Sequence, residues 1–109
     1  MKVLVITPTY NESKNILLLV EKIKNISSDS DILVVDDNSP DGTANIVKNL
    51  LKNRNDIFLI ERPGKMGLGT AYITGFKWAI DNNYDIVIQM DADLSHNPKD
   101  IKRMLEEIE

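Results

Sequence analysis

The sequence predicts an α/β fold: a mainly parallel four-stranded sheet with helices on both faces, a three-layer (βα)4 unit. Three observations predict it. Short, continuous, β-branched apolar runs recur along the chain, amphipathic helical stripes separate them, and the residues that follow each run are polar or ionisable. Continuous apolar strands are buried on both faces and belong to parallel sheets, and strands alternating with helices build layered α/β domains.

The elements follow in order. Val3 to Ile6 is the first apolar run, and Ile16, Leu19, Val20 and Ile23 then fall on one helix face. Ile32 to Val35 is the second run, followed by a stripe of Ala44, Val47, Leu50 and Leu51. Ile57 to Ile60 is the third, followed by Leu68, Ala71, Tyr72, Gly75, Phe76 and Ala79. Ile86 to Ile88 is the fourth. Ile101, Met104, Leu105 and Ile108 mark a last helix, with Asn97 as its cap, Pro98 at its first position and Asp100 in its first turn. A doubly wound sheet of this kind takes the strand order 3-2-1-4, with its crevice between strands one and four.

Composition bounds the rest. A chain of 109 residues is one domain, 1–109, large enough to bury a core without staples. It has no cysteine, which excludes a disulfide scaffold, a thiolate metal site and a Cys nucleophile. Thirteen Lys and Arg against seventeen Asp and Glu give a net charge of −4, without the basic face of a nucleic-acid binder. No apolar run approaches the ~20 residues that cross a bilayer, and the apolar start is too short for a signal peptide. The expectation is a cytoplasmic chain. It ends inside or just after the fourth helix, which reads as a truncation point or an engineered boundary; a minimal natural domain is the alternative.

Ligands of open α/β sheets bind beyond the carboxyl ends of the strands. After strand one come Thr7, Pro8, Thr9, Tyr10, Asn11 and Glu12. After strand two come Asp36 to Gly42, after strand three Arg62 to Gly69, and after strand four Asp91 to His96. Asp91 and Asp93, spaced i and i+2, can turn toward one cation, and hard oxygen ligands suit Mg²⁺ or Mn²⁺. The alternative is a turn with capping carboxylates. So many carboxylates at one edge repel each other unless a cation or ligand N–H groups are present.

Asp36 and Asp37 can accept from the ring N–H or amino groups of a nucleobase, or they organise an ordinary turn. Tyr10 can stack on a base or simply pack. Glu12 can hold a ribose hydroxyl or favour the first turn of helix one. Gly64, Gly67 and Gly69 let backbone approach a ligand, with Lys65 adding charge near a diphosphate, or form a plain strand-to-helix connection. Their spacing is not the dinucleotide fingerprint, and the P-loop pattern is absent. His96, the one histidine, caps a loop or joins the site.

In order and spacing these four segments resemble the nucleotide-binding half of family-2 inverting glycosyltransferases: Thr7-Pro8-Thr9-Tyr10-Asn11-Glu12, Val34 to Thr43, Lys65-x-Gly67-Leu68-Gly69-Thr70-Ala71-Tyr72, and Met90 to Pro98. They look most like the dolichol-phosphate (polyprenol-phosphate) mannosyltransferases. The resemblance implies a GT-A fold, of which this chain is the Rossmann-like half. It implies a nucleoside-diphosphate sugar donor, GDP-mannose or a UDP-sugar, a divalent cation, and a polyprenyl phosphate acceptor at the cytoplasmic membrane face. By matched position it implies that Pro8, Tyr10, Glu12, Val35 and Asp37 line the nucleotide. Asp91, Ala92 and Asp93 would meet the ribose and phosphates, with Asp93 the main metal ligand. Ser95 stands where the closest group has Gln, so the resemblance puts a shorter donor at that metal position.

Nothing in the sequence reads as a dedicated catalytic base. Two other classes compete with a catalytic half: a nucleotide-binding module without turnover, and a receiver-type phospho-acceptor domain. The receiver reading needs an acidic pair after strand one, where this chain has Pro8 to Glu12. Strand four, apolar and without Pro or Lys, is expected at a sheet edge, which predicts a homo-oligomer through that side.

Overall fold

The computed structural model describes residues 2–64 and 66–91. Seven elements follow one another: β1 (Val3–Thr9), α1 (Ile16–Ile26), β2 (Asp31–Asp36), α2 (Thr43–Leu51), β3 (Ile57–Glu61), α3 (Leu68–Asp81) and β4 (Ile86–Gln89). The four strands form one parallel sheet in the order β3-β2-β1-β4. This is the order the sequence predicts. The predicted fourth helix lies outside the described residues.

Side chains alternate across the sheet and divide the core in two. Val3, Val5, Ile32, Val34, Ile57, Ile88 and Met90 pack under α1 and α2, where Ile16, Leu19, Val20, Ile23 and Val47 meet them. Leu4, Ile6, Leu33 and Val35 face the other way and pack against Ala71 and Ala79 of α3. The helix residues named from spacing are the ones buried on α1. On α3 close approach is built in: a Cβ at Gly75 would sit 2.8 Å from the Ile6 side chain. Gly75 therefore lets α3 ride directly on the central strand.

The flanks of α3 are distinguishable. Trp78 leans toward β3 and meets Phe58 with ring centroids 5.0 Å apart. Tyr84 stacks on the same indole at 5.7 Å and donates to Asp31 at 2.6 Å. Burial and that carboxylate push the Tyr84 hydroxyl well above the usual phenol range. On the opposite flank Tyr72 reaches the end of β4.

Two boundaries differ from the sequence reading. β1 runs on through Thr7, Pro8 and Thr9, which the apolar pattern places in a loop. Proline is tolerated there for a geometric reason. The Ile6 carbonyl accepts from Met90 on the β4 side, and the Thr9 carbonyl accepts from Asp37 on the β2 side. By alternation the missing N–H of Pro8 points toward β4, beyond the last paired residues, Ile6 and Gln89. The second difference is Gly69, which lies inside the first turn of α3 rather than before it. Gly67, at φ +95°, is the cap.

Among the described residues no helix is long and apolar enough to cross a membrane.

Candidate functional site

Three of the four polar segments meet within the described residues at the carboxyl edge of the sheet. Strand alternation sorts their carboxylates by face. Asp36 has the parity of Ile32 and Val34 and turns toward α1 and α2. Asp37, one residue on, turns toward α3.

Asp36 is fully buried and surrounded by neutral donors. Its Oδ1 accepts from the Thr9 and Ser39 hydroxyls, each at 2.6 Å, and its Oδ2 accepts from the Ser39 N–H at 3.0 Å. Ser39 Oγ also accepts from the Asn11 N–H at 2.9 Å. Asp41 accepts from the Ser13 N–H, and from the Thr43 N–H and hydroxyl, while the Thr43 hydroxyl accepts from the Glu12 N–H. These bonds tie the β1–α1 loop to the β2–α2 loop. Desolvation raises the Asp41 carboxyl, but hydrogen bonds from Thr43 and Ser13 outweigh it and hold it down to about 2. Asn11 and Asn38 take left-handed backbone at φ 58° and 57°, conformations that Asn tolerates in tight turns. The turn reading of this segment thus describes Asp36 and Asp41.

Asp37 has a different partner. Arg62 Nε donates to Oδ1 at 2.6 Å and Arg62 Nη2 to Oδ2 at 2.8 Å, with both side chains more than 90% buried. The Met66 N–H adds a third bond to Oδ2. The guanidinium also donates to the Thr70 hydroxyl and the Gly67 carbonyl, so one side chain fastens the β3–α3 loop to the end of β2. Sequence reasoning missed Arg62 as a site residue. Its signal is parity: it follows Phe58 and Ile60 on the α3 face, and β2 and β3 pair Asp36 with Glu61.

Asp91 closes the edge on the β4 side, where Tyr72 donates to its Oδ1 at 2.7 Å. That bond fixes the carboxylate beside the position where β1 and β4 part. The other predicted residues fall as follows. Tyr10 is 37% exposed on the β1–α1 loop, and Pro8 is half-buried beside it. Glu12 lies ahead of α1 rather than in its first turn, and its carboxylate accepts from Asn15 Nδ2 at 3.2 Å. Val35 is fully buried in the core under α3, so its side chain supports the edge from below. Lys65, Ala92, Asp93, Ser95 and His96 lie outside the described residues. Among the described residues no group of three His, Asp or Glu could hold a metal ion. The chemistry of Asp91, a hard oxygen donor fixed at a strand end, fits Mg²⁺ or Mn²⁺.

A parallel sheet of order β3-β2-β1-β4, with carboxylates, an arginine and a loop tyrosine at its carboxyl edge, defines a Rossmann-like α/β domain. The chain belongs to glycosyl transferase family 2, whose family model matches residues 4–109. It is 42% identical over 108 residues to the undecaprenyl-phosphate mannosyltransferase of Micrococcus luteus, covering 99% of this chain and 44% of that protein. It is 40% identical over 109 residues to the polyprenol monophosphomannose synthase of Mycolicibacterium smegmatis, covering 99% of this chain and 41% of that one. The chain thus spans less than half the length of these relatives.

Solved structures agree. The mannosyltransferase PcManGT of Pyrobaculum calidifontis, in complex with GDP-Man and Mn²⁺, matches with a TM-score of 0.74 and 31% identity, over 84% of this chain and 27% of that one. The TarS 1–349 structure from S. aureus matches with a TM-score of 0.79 and 28% identity, over 99% of this chain and 32% of that one. The fold is that of GT-A enzymes.

Proposed function

We propose that this chain is the donor-binding part of an inverting, metal-dependent glycosyltransferase. In this reading it binds a nucleoside-diphosphate sugar, with GDP-mannose favoured over a UDP-sugar, for transfer to a polyprenyl phosphate at the cytoplasmic membrane face. The observation that carries the reading is the placement along one sheet edge of the Asp37–Arg62 pair and of Asp91, bonded to Tyr72, in a chain 40–42% identical to polyprenol-phosphate mannosyltransferases.

The nucleotide lies across the ends of β1 and β2. Tyr10 stacks on the base, Asp37 accepts from it, and Glu12 takes a ribose hydroxyl. Pro8 shapes the floor and Val35 supports it from the core. Lys65 faces the diphosphate. Asp91, Ala92 and Asp93 meet the ribose and phosphates, and Asp93 with Asp91 and Ser95 would hold a Mg²⁺ or Mn²⁺ ion. When bound, that cation offsets the diphosphate charge that a cluster of carboxylates would otherwise repel. The acceptor phosphate is already an oxyanion. Its oxygen attacks the anomeric carbon from the face opposite the leaving diphosphate, which inverts that centre without a dedicated base.

Calorimetric titration with GDP, UDP and their sugars, with and without Mn²⁺, tests the reading. Asp93→Ala is expected to weaken GDP binding in Mn²⁺ and to abolish most of the Mn²⁺ dependence. Equal GDP binding by that variant in EDTA and by the parent chain in Mn²⁺ would overturn the metal assignment.

A second reading, for these 109 residues taken alone, is a nucleotide-binding module without turnover, since they span only 44% and 41% of the length of these relatives. Positioning two reactants supplies roughly 7–11 kcal/mol of a barrier. If acceptor binding lies outside these 109 residues, they are expected on their own to bind the donor and to transfer the sugar poorly. Turnover at roughly 1–10³ s⁻¹ with a polyprenyl phosphate would instead place acceptor binding within these 109 residues.

A further inference from the structure

We infer that Arg62 sets the base selectivity of the site: it holds Asp37 so that the carboxylate keeps a single free acceptor position, and the site reads a nucleobase through one ring N–H. This rests on the nucleotide-binding reading above and narrows it to a class of bases. Guanine, hypoxanthine and uracil, which carry a ring N–H beside a carbonyl, belong to the class. The 2-amino group that separates guanine from hypoxanthine goes unread.

An ionised carboxylate offers about four acceptor positions, two on each oxygen. Arg62 Nε takes one on Oδ1 at 2.6 Å, and Arg62 Nη2 takes one on Oδ2 at 2.8 Å, the two-pronged pairing of guanidinium and carboxylate. The Met66 N–H takes the second position on Oδ2 at 3.2 Å. One position is left, on Oδ1. A carboxylate without such partners can meet guanine with both oxygens, one for the ring N–H and one for the 2-amino group. Asp37 cannot, because the guanidinium already spans its two oxygens.

Nor is the carboxylate free to turn. Only 8% of the Asp37 side chain and 6% of the Arg62 side chain are exposed. The guanidinium is held from its other side, where Nη1 donates to the Thr70 hydroxyl at 2.9 Å and Nη2 to the Gly67 carbonyl at 3.1 Å. The main chain is tied as well: the Asp37 N–H donates to the Thr9 carbonyl, and the Arg62 N–H to the Asp36 carbonyl. Opening the fork to admit a second base N–H would leave a buried guanidinium partly unpaired, and that penalty exceeds the gain from one more hydrogen bond. Asp36 offers no substitute, since its carboxylate turns to the other face of the sheet and is engaged by Thr9 and Ser39.

Titration calorimetry of the chain in Mn²⁺ with GDP, inosine diphosphate and ADP tests this. GDP and inosine diphosphate are expected to bind within about threefold of each other. ADP, which places a ring lone pair where the other two have N–H, should bind roughly tenfold or more weakly. A preference of roughly tenfold or more for GDP over inosine diphosphate would overturn this inference and leave the nucleotide-binding reading standing. ADP binding as tight as that of GDP would remove Asp37 from base recognition and overturn the inference too, whereas no binding of any of the three would overturn the reading along with it. Arg62→Lys adds a readout that a purely structural role would not move, because it keeps the charge and gives up the fork. By freeing an oxygen for the 2-amino group it is expected to open a preference for GDP over inosine diphosphate of roughly fivefold or more. Equal weakening of both nucleotides, with their ratio unchanged, would refute the role of Arg62. Should that variant fail to fold, the nucleotide ratios of the parent chain decide.

Discussion

Asp36 and Asp37 are neighbours in the chain, both buried at the same sheet edge, yet they face opposite layers and are satisfied in opposite ways. Asp36 looks toward α1 and α2 and is held by two hydroxyls and an N–H, all neutral. Asp37 looks toward α3 and is held by a guanidinium that reaches three segments at once. The α1–α2 half of the edge is a hydrogen-bonded scaffold in which each donor is local to two loops. The α3 half is centred on one charge pair between side chains 25 positions apart, to which the Met66 N–H adds a neutral bond. A network of neutral bonds loses stability in small steps. A buried ion pair, once broken, leaves an uncompensated charge.

Breaking the pair should therefore give the largest effect. Arg62→Met is expected to destabilise the fold by about 3–5 kcal/mol, read as a lowered urea midpoint. The double variant Arg62→Met with Asp37→Leu should recover most of that loss, because no charge is then left buried. If the double variant is no better than the single one, the two halves do not differ in kind.

On the scaffold side, Asp36→Ala is expected to cost about 1–3 kcal/mol, since Thr9 and Ser39 lose an acceptor while the rest of the loop network persists. The same denaturant series measures it, and a loss as large as that of Arg62→Met would erase the contrast. Tyr72→Phe removes one hydrogen bond to Asp91 and should cost about 0.5–1.5 kcal/mol. On the functional reading it should also weaken GDP binding in Mn²⁺ more than in EDTA, a difference that titration calorimetry resolves.

The smallest expected effect is the pH dependence of two carboxylates, Asp41 in the scaffold and Asp56 just before β3 at the other end of the sheet. Asp41 is held down to about 2 against an ordinary 3.8, by hydrogen bonds that exceed its desolvation. Asp56 is held down to about 2 by a hydrogen bond from Arg54 and then by Lys24, against desolvation. Each binds fewer protons folded than unfolded near pH 3. Their stabilisation is thus complete above the unfolded value near 4 and is lost as pH falls through about 2. Asp41→Asn and Asp56→Asn should each flatten the urea midpoint between pH 4 and 2 and leave the slope above pH 5 unchanged.

How much of this was legible in the residues differs between fold and site. The strands were readable because apolar runs such as Ile32 to Val35 have no other place to go than a buried sheet, and the order of the strands follows from how such sheets wind. The α1 face was readable from spacing alone. The site was readable only as an edge. That Asp36 and Asp37 would part company needed the parity of β2, and that Arg62 would meet Asp37 needed the register of β2 against β3. Tyr72 reads as core by its spacing, yet its hydroxyl passes beyond the core to Asp91. Pro8 reads as the end of a strand because proline lacks a donor, whereas its register places that missing donor where no partner strand is paired.

Pro8 has one more effect. In a parallel ladder the next rung after Ile6 and Gln89 would need residue 8 to donate its N–H to the carbonyl of Met90. Proline has no such hydrogen, so this rung between β1 and the outer strand β4 cannot form, and pairing ends at Ile6 and Gln89. The height at which β1 and β4 stop pairing is thus set by one absent proton, written into the chain at Pro8.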